Sequence, residues 1–275
     1  MAGHTEKVDR ASGIEQTRSN DEIVIRECTT IEEFDTCVRL QREVFHLPDL
    51  ELSPRRHLIV SRLAGGWILG AFTASGGELV GFVHHLVAVR DAEIIGYSHM
   101  MAVSAEYQNR GLGARLKWAQ RERALAEGRN FIRWTFEPMQ ARNAHFNLNR
   151  LGAVIRSYAV NFYGWDAGTE AFADGKQFNI DSDRLIAQWE LRAPRVEQLA
   201  RGVRAEQASA PVATVEIPPN WNQLRREDGL TAQRELLRVR SEFQQHLAAG
   251  LVCAGFARDG ARSCYLFYSD ERQEQ

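Results

Sequence analysis

The sequence predicts an α/β chain of the α+β kind, a mixed and mostly antiparallel sheet flanked by helices with a small α+β extension behind it. Three observations carry that expectation. "GWILGAFTASGGELVGFVHHLVAVR" and "DAEIIGYSHMMAV" hold three consecutive runs rich in branched and aromatic residues, parted by Ser-Gly-Gly and Arg-Asp turns, which is the pattern of an antiparallel meander. Segments with helical spacing lie on either side of it. Apolar residues make up 44% of the 275 and charged residues 25%, the balance of a globular chain able to bury a sizeable core.

Residues 1–21 are polar and aperiodic and are expected to form a flexible tail. "IVIREC" reads as a short strand. In the helix that follows, Thr30 and Glu33 make a capping-box pattern, and Ile31, Phe34, Val38 and Leu40 or Gln41 recur at helical spacing. A second helix begins near Pro54, which suits a first turn, and ends at glycines 65 and 66. After the meander, residues 111–127 read as a helix with Leu112, Leu116, Ala119 and Ala126 on one face, stopped by Gly128. "NFIRWTF" is a strand, "QARNAHFNLNRLG" a short helix, and "AVIRSYAVNFY" and "DRLIAQWEL" two more strands. The composition shifts after Leu191, so the domain expectation is a body over 22–192 and an extension over 193–275. Within the extension, "VEIP" is extended, a helix of roughly 20 residues carries Ala232, Leu236, Val239, Phe243 and Leu247, and a hairpin turns at Asp259-Gly260. So few elements make a marginal core alone, and the extension is expected to dock on the body.

Composition excludes several classes of function. A net charge of -2 and a pI near 6.5 argue against a nucleic-acid binder. No segment has the length and apolarity of a bilayer span, and the N-terminus has no apolar run of the signal-peptide kind, so the expectation is a cytoplasmic protein with no membrane partner. Cys28, Cys37, Cys253 and Cys264 are scattered without metal-type spacing, so reduced thiols are expected, with neither a disulfide nor a zinc.

The most informative stretch is "HMMAVSAEYQNRGLGARL", where a strand is followed by Gln, Gly and Gly at fixed spacing and then by a helix. A helix N-terminus offers unpaired N–H groups and partial positive charge, and the glycines at 111 and 113 let an anion approach them. A Rossmann turn is disfavoured because Leu116 takes the third glycine's place and seven residues separate strand from glycine. A Walker loop is excluded by the lack of a Lys-Ser or Lys-Thr. Close helix-strand packing is the plainer alternative.

Gln108-x-x-Gly111-x-Gly113-Ala114, placed after this strand and in this order of elements, resembles the acyl-coenzyme A signature of the GNAT superfamily of N-acetyltransferases. "WTFEPMQARNAHFNLNRLGAV", "NFYG" and "DRLIAQWEL" are similar to an uncharacterised bacterial GNAT group with a C-terminal extension, a group that supplies no substrate. The resemblance implies the GNAT fold over 22–192 and transfer of an acetyl group from acetyl-CoA, as co-substrate, to an amine acceptor within a ternary complex. It implies that the amides of Gln108, Asn109, Arg110, Gly111, Leu112, Gly113 and Ala114 hold the pyrophosphate and that the pantetheine arm lies along Met101, Ala102 and Val103. Asn143 falls where the family commonly has a cofactor-contacting asparagine, with capping as the alternative. Arg110 could fork to phosphate or be a solvated surface arginine.

Amide formation from a thioester needs a neutral amine, a polarised carbonyl and a proton for the thiolate. Strand alternation puts Tyr97, His99, Met101 and Val103 on one face, so His99 is the candidate base, as in the histidine-containing strand of some aralkylamine acetyltransferases; a hydrogen-bonded core histidine is the alternative. Glu137 is the fallback base, against a surface carboxylate. Many relatives protonate the thiolate with a tyrosine four residues before the glycine that ends the next helix, where this chain has Leu148; Tyr158, Tyr163 or water are the substitutes. Asn143 and Asn147, four apart, are expected to share a helix face. His84 and His85 point to opposite strand faces and read as structural, and Arg55, Arg56 or His57 could meet an acidic acceptor. No metal is expected. The competing class is a non-catalytic acyl-CoA-binding or regulatory protein, and a homodimer through the extension is an open alternative.

Overall fold

A computed structural model of the chain describes residues 22–165, 169–205, 207, 209–259 and 262–270. The tail expected over 1–21 and the Gly260 of the expected hairpin turn lie outside the described residues. The first half runs β1 (Ile23–Glu27), α1 (Ile31–Phe45), α2 (Arg55–Leu63), β2 (Trp67–Thr73), β3 (Leu79–Arg90), β4 (Glu93–Val103), α3 (Leu112–Ala126), β5 (Phe131–Phe136) and α4 (Ala141–His145). It continues with β6 (Val154–Ala159), β7 (Glu170–Ala173), β8 (Lys176–Asn179), β9 (Arg184–Glu190), α5 (Pro194–Ala200), β10 (Ala213–Ile217), α6 (Trp221–Glu227), α7 (Gly229–Ala248), β11 (Leu251–Asp259) and β12 (Arg262–Ser269).

The ten strands other than β7 and β8 form one sheet in the order β1-β2-β3-β4-β5-β9-β6-β11-β12-β10, in which only β4 and β5 run parallel. This is the mixed, mostly antiparallel sheet flanked by helices that the meander implies, and its elements from β1 to α4 follow the order expected from the sequence. The capping box forms as its residues require: Glu33 N–H donates to Thr30 Oγ1 at 3.3 Å, while Glu33 Oε2 accepts from the N–H of Thr30 at 3.1 Å.

Two helix faces differ from expectation. On α1, Ile31, the first helical residue, is exposed, and Cys37 lies in the core with Phe34 and Leu40. On α3 the buried residues are Leu112, Leu116, Lys117, Gln120, Arg121 and Ala124, while Ala126 is exposed. That face is half polar, and apolar spacing alone could not reveal it.

Packing divides by sheet face. Phe34, Cys37, Leu40 and Leu58 of α1 and α2 pack with Ile68, Phe72, Phe82 and Ala102 on one side. Leu112 and Leu116 of α3 pack with Trp67, Leu69, Val83 and Val103 on the other. The chain beyond Leu191 continues the same sheet, since β11 pairs with β6 at Cys253 and Ile155. Its residues Val215, Leu236, Phe243 and Phe267 share one core with Ile132, Leu148, Ile155 and Trp189. The stretch after Leu191, where the composition shifts, contains α5, whose Val196 is buried against Gly152.

Candidate active site

β4 and β5 pair only at Gly96 with Ile132 and at Tyr97 with Arg133. Beyond Tyr97 the two strands splay, so residues 98–103 of β4 are paired to β3 on one side and present an unpaired main-chain edge toward β5. An extended ligand can add to such an edge as a strand does. The β3-β4 ladder jumps from His84 opposite Met100 to His85 opposite Ser98, leaving His99 as the extra residue of a β-bulge.

The bulge corrects the expected strand alternation. Met100 and Ala102 belong to the α1-α2 side, Met101 and Val103 to the α3 side. His99 contacts Ser53, His57 and His84 on the α1-α2 side, so it does not share a face with Met101 and Val103. One inserted residue resets the two-residue period, and no alternation rule reads across it. His84 and His85, as expected, lie on opposite faces: His84 joins His57 and His99, while His85 stacks on Trp67 at 4.0 Å and bonds Gln120 of α3.

The loop from β4 to α3 passes through a 3-10 turn at Ala105–Tyr107 and is tied back where Gln108 Nε2 donates to Val103 O at 2.9 Å. Asn109 at φ 61° and Gly111 at φ 80° both take the left-handed region, after Gln108 in extended backbone. No side chain caps α3, and its first closed turn is Arg115 N–H to Gly111 O at 3.1 Å. The two glycines serve different needs. A Cβ on Gly111 would meet open space, so its requirement is the positive φ; a Cβ on Gly113 would lie 3.3 Å from Met101 Cε, so its requirement is close approach of α3 to β4. Leu112 is anchored in the core, Ala114 is half-buried, and Arg110 is exposed with its guanidinium 5.6 Å from the Tyr107 ring. These residues therefore leave the uncapped N-terminus of α3 at the end of the free β4 edge, an arrangement that suits an anion.

His99 is held by a relay. Gln41 of α1 is fully buried and clamps the backbone of Ser53 through two bonds, to its N–H at 2.8 Å and its carbonyl at 3.1 Å. Ser53 Oγ then lies 3.0 Å from His99 Nε2. Burial, and then the neighbouring His57, hold the His99 pKa below the ordinary imidazole range, so the ring is neutral near pH 7. Between β4 and β5 lies a hydroxyl cluster: Tyr163 OH is 3.0 Å from Thr135 Oγ1 on β5, and Tyr97 on β4 interacts with both. Burial, with Tyr163 next, raises the Tyr97 pKa. Of the α2 basic residues, Arg55 is committed to Asp35 at 2.8 Å, and His57 faces His99 and His84.

Other expected site residues stand elsewhere. Tyr158 donates to the buried Asp183, which Arg240 of α7 also grips at 2.8 and 2.9 Å; burial and Asp183 raise its pKa, and its proton stays in that network. Glu137 accepts from Trp221 Nε1 of α6 and from Gln140, so both carboxylate oxygens are engaged at the junction with the extension. Neither shares a partner with His99. Asn143 is exposed and Asn147 is buried with its Oδ1 accepting from Trp134 Nε1 at 3.3 Å, so the two do not share a face. The reason is that α4 ends at His145 and the chain continues as a π-turn over Phe146–Arg150, which breaks the four-residue spacing. Leu148 is fully buried in the core.

Sequence reasoning missed Ser53 and Gln41, whose polar types gave no motif, and Lys117, which lies behind β4. Lys117 is buried, bonds Ser98 Oγ and Gln120 Oε1 at 2.9 Å each, and has its Nζ 3.8 Å from the Trp134 ring centre. Burial pushes its pKa down to about 7.

Residues 31–152 match the family described as the acetyltransferase (GNAT) family. No curated protein matches the chain. Among solved structures it is similar to a GNAT family acetyltransferase from Elizabethkingia anophelis with acetyl-CoA bound, at 17% identity over 62% of this chain and 99% of that one with a TM-score of 0.44. It is also similar to an acetyltransferase of GNAT family from Streptococcus pneumoniae (20% identity, 61% and 98% covered, TM-score 0.46). A third is the ribosomal-protein-S18-alanine N-acetyltransferase from Escherichia coli (14% identity, 68% and 99% covered, TM-score 0.47).

Proposed function

We propose that this chain, whose residues 31–152 match the acetyltransferase (GNAT) family, moves an acetyl group from acetyl-CoA to a primary amine by direct transfer within a ternary complex. The observation that carries the reading is the junction of a free β4 edge with an uncapped, glycine-turned helix N-terminus. The amides of residues 108–114 take the pyrophosphate, and Met101, Ala102 and Val103 supply the strand edge for the pantetheine arm.

His99 is the base. As the amine nitrogen bonds to the thioester carbonyl carbon, its proton passes to the imidazole, directly or through a water, and the carbon-sulfur bond breaks to release the thiolate. A main-chain N–H of β4 polarises the carbonyl oxygen. The lowered pKa keeps His99 unprotonated at neutral pH, the state a base needs. With Leu148 buried where relatives carry a tyrosine, the thiolate takes its proton from the Tyr97, Thr135 and Tyr163 cluster or from water.

The buried Leu148 also favours a second reading, an acyl-CoA-binding protein without turnover. Release of free thiol from acetyl-CoA, measured across an amine panel, separates the two: amine-dependent thiol supports transfer, and thermal stabilisation by acetyl-CoA without thiol supports the binder. Absence of stabilisation at saturating coenzyme A refutes both.

A further inference from the structure

Three histidines from three elements, the proposed base His99 among them, meet on the α1-α2 side of the sheet. His57 on α2, His84 on β3 and His99 on the β4 bulge have ring centres 5.6, 5.4 and 5.7 Å apart in pairs, nearly an equilateral triangle. One nitrogen from each lies within 4.8 Å of the other two. They span the range from a fully buried His84 through a half-buried His99 to an exposed His57, so the triangle has a floor and an open side.

The hydrogen bonding at the floor identifies what is missing. Ser61 Oγ is 2.9 Å from the Leu58 carbonyl, which can only accept, and 2.7 Å from His84 Nε2. A hydroxyl has one proton, and the Leu58 carbonyl takes it, so the short contact to His84 requires the imidazole to be the donor. That places the His84 proton on Nε2 and the lone pair on Nδ1. Nδ1 is buried and has no hydrogen-bond partner. A buried polar atom left bare costs about 1–3 kcal/mol, and native structures rarely carry one without a reason.

We propose that His57, His84 and His99 bind one divalent transition-metal ion of the zinc class, with His84 Nδ1 as the buried ligand and a fourth position open to solvent beside His57. Three neutral imidazoles suit zinc and its neighbours and do not suit calcium or magnesium, which take oxygen ligands. Three nitrogens and one open position make the ligand set of a zinc site that exchanges its fourth ligand. Tetrahedral zinc, with bonds of about 2.05 Å, sets its nitrogens about 3.4 Å apart. Rotation of the exposed His57 can close the remaining gap from a spread of up to 4.8 Å. Ser61 orients His84 as an outer-shell partner does, by holding the proton on the other ring nitrogen. Occupancy also takes His99 out of proton transfer, making the ion an inhibitor that competes with the amine; that consequence rests on the acetyl-transfer reading, whereas the binding does not.

The test uses the full chain stripped with a chelator and titrated with zinc by calorimetry and with cobalt(II) by visible absorption. The expected result is one ion per chain, with the d–d bands of tetrahedral cobalt and no thiolate charge-transfer band. His57→Ala, a change at an exposed residue that leaves the core intact, weakens binding at least about 10-fold, as does His84→Gln where it folds, while His246→Ala on α7 binds as the wild type. Zinc raises the melting temperature of the wild type and not that of His57→Ala. No stoichiometric binding by the wild type overturns the proposal, as does binding unchanged by His57→Ala, or a thiolate charge-transfer band that puts the ion on a cysteine.

Discussion

Lys117 offers the sharpest test of the energetics behind β4. It is fully enclosed, with Ser98, Gln120 and the Trp134 ring around its Nζ, and none of its hydrogen-bond acceptors is a carboxylate. Burial lowers its pKa from 10.5 to about 7. The folded state therefore binds fewer protons than the unfolded state between those values, and stability rises with pH across that window. The difference of about 3.5 pKa units, at 1.36 kcal/mol each, makes the charged lysine cost about 5 kcal/mol at and below pH 7. Lys117→Met keeps an unbranched side chain, one atom shorter, and removes the charge. It leaves Gln120 Oε1 without its donor, a loss of about 1–3 kcal/mol, and gives up the contact of the cation with Trp134, worth about 2 kcal/mol when desolvated. The net at pH 7 is roughly neutral to 2 kcal/mol more stable. The slope is cleaner than the net. Urea unfolding between pH 7 and 8.5 should show wild-type stability rising by about 1 kcal/mol per pH unit and Lys117→Met staying flat by comparison. The buried thiols of Cys37, whose pKa its bond with Cys28 and then burial raise, and of Cys253, whose pKa burial raises, pull stability down only above that window and act equally on both proteins. Equal slopes in the two proteins would refute the buried, unpaired lysine.

Three further outcomes follow from the same geometry. His99→Gln should lower kcat/KM by about 100-fold or more and abolish the acid limb of the pH-rate profile, which in the wild type lies below the ordinary imidazole pKa of about 6.5 because burial and His57 depress it; an unmoved acid limb removes His99 from the role. Gly111→Ala should raise the KM for acetyl-CoA about 5- to 30-fold with the melting temperature little changed, from the 1–2 kcal/mol cost of a side chain at φ 80°; an unchanged KM sinks the cradle. Asp183→Asn should destabilise the chain by about 3 kcal/mol in urea, because buried Asp183 is gripped by Arg240 and accepts from Tyr158 and from the Asn161 N–H. A loss under 1 kcal/mol would show that this contact between α7 and the sheet is not structural.

Much of the fold was legible because it rests on local chemistry. The Thr30-Glu33 box, the turns of the meander and the glycine-rich entry to α3 are each decided by a few adjacent residues, and each forms. The expectations that failed depended on a residue count running unbroken along an element. An inserted residue at His99 reset the strand period, and a π-turn after His145 separated Asn143 from Asn147. The polar face of α3 escaped for another reason: Lys117, Gln120 and Arg121 look solvent-bound by type and are buried because partners across the sheet receive them.

By itself the sequence determined the class of fold, the order of elements from β1 to α4 and the glycine-turned entry to α3, since backbone conformation and unpaired amides there follow from glycine positions and capping within a few residues. Only the tertiary structure decided which face His99 occupies, that Ser53 and Gln41 hold it, that Tyr158 and Glu137 serve the junction with the extension, and that three histidines converge. Those outcomes depend on side chains brought together from elements far apart in the chain. Their positions were settled by a bulge, a splay and a continued sheet, none of which leaves a local mark in the residues that they move.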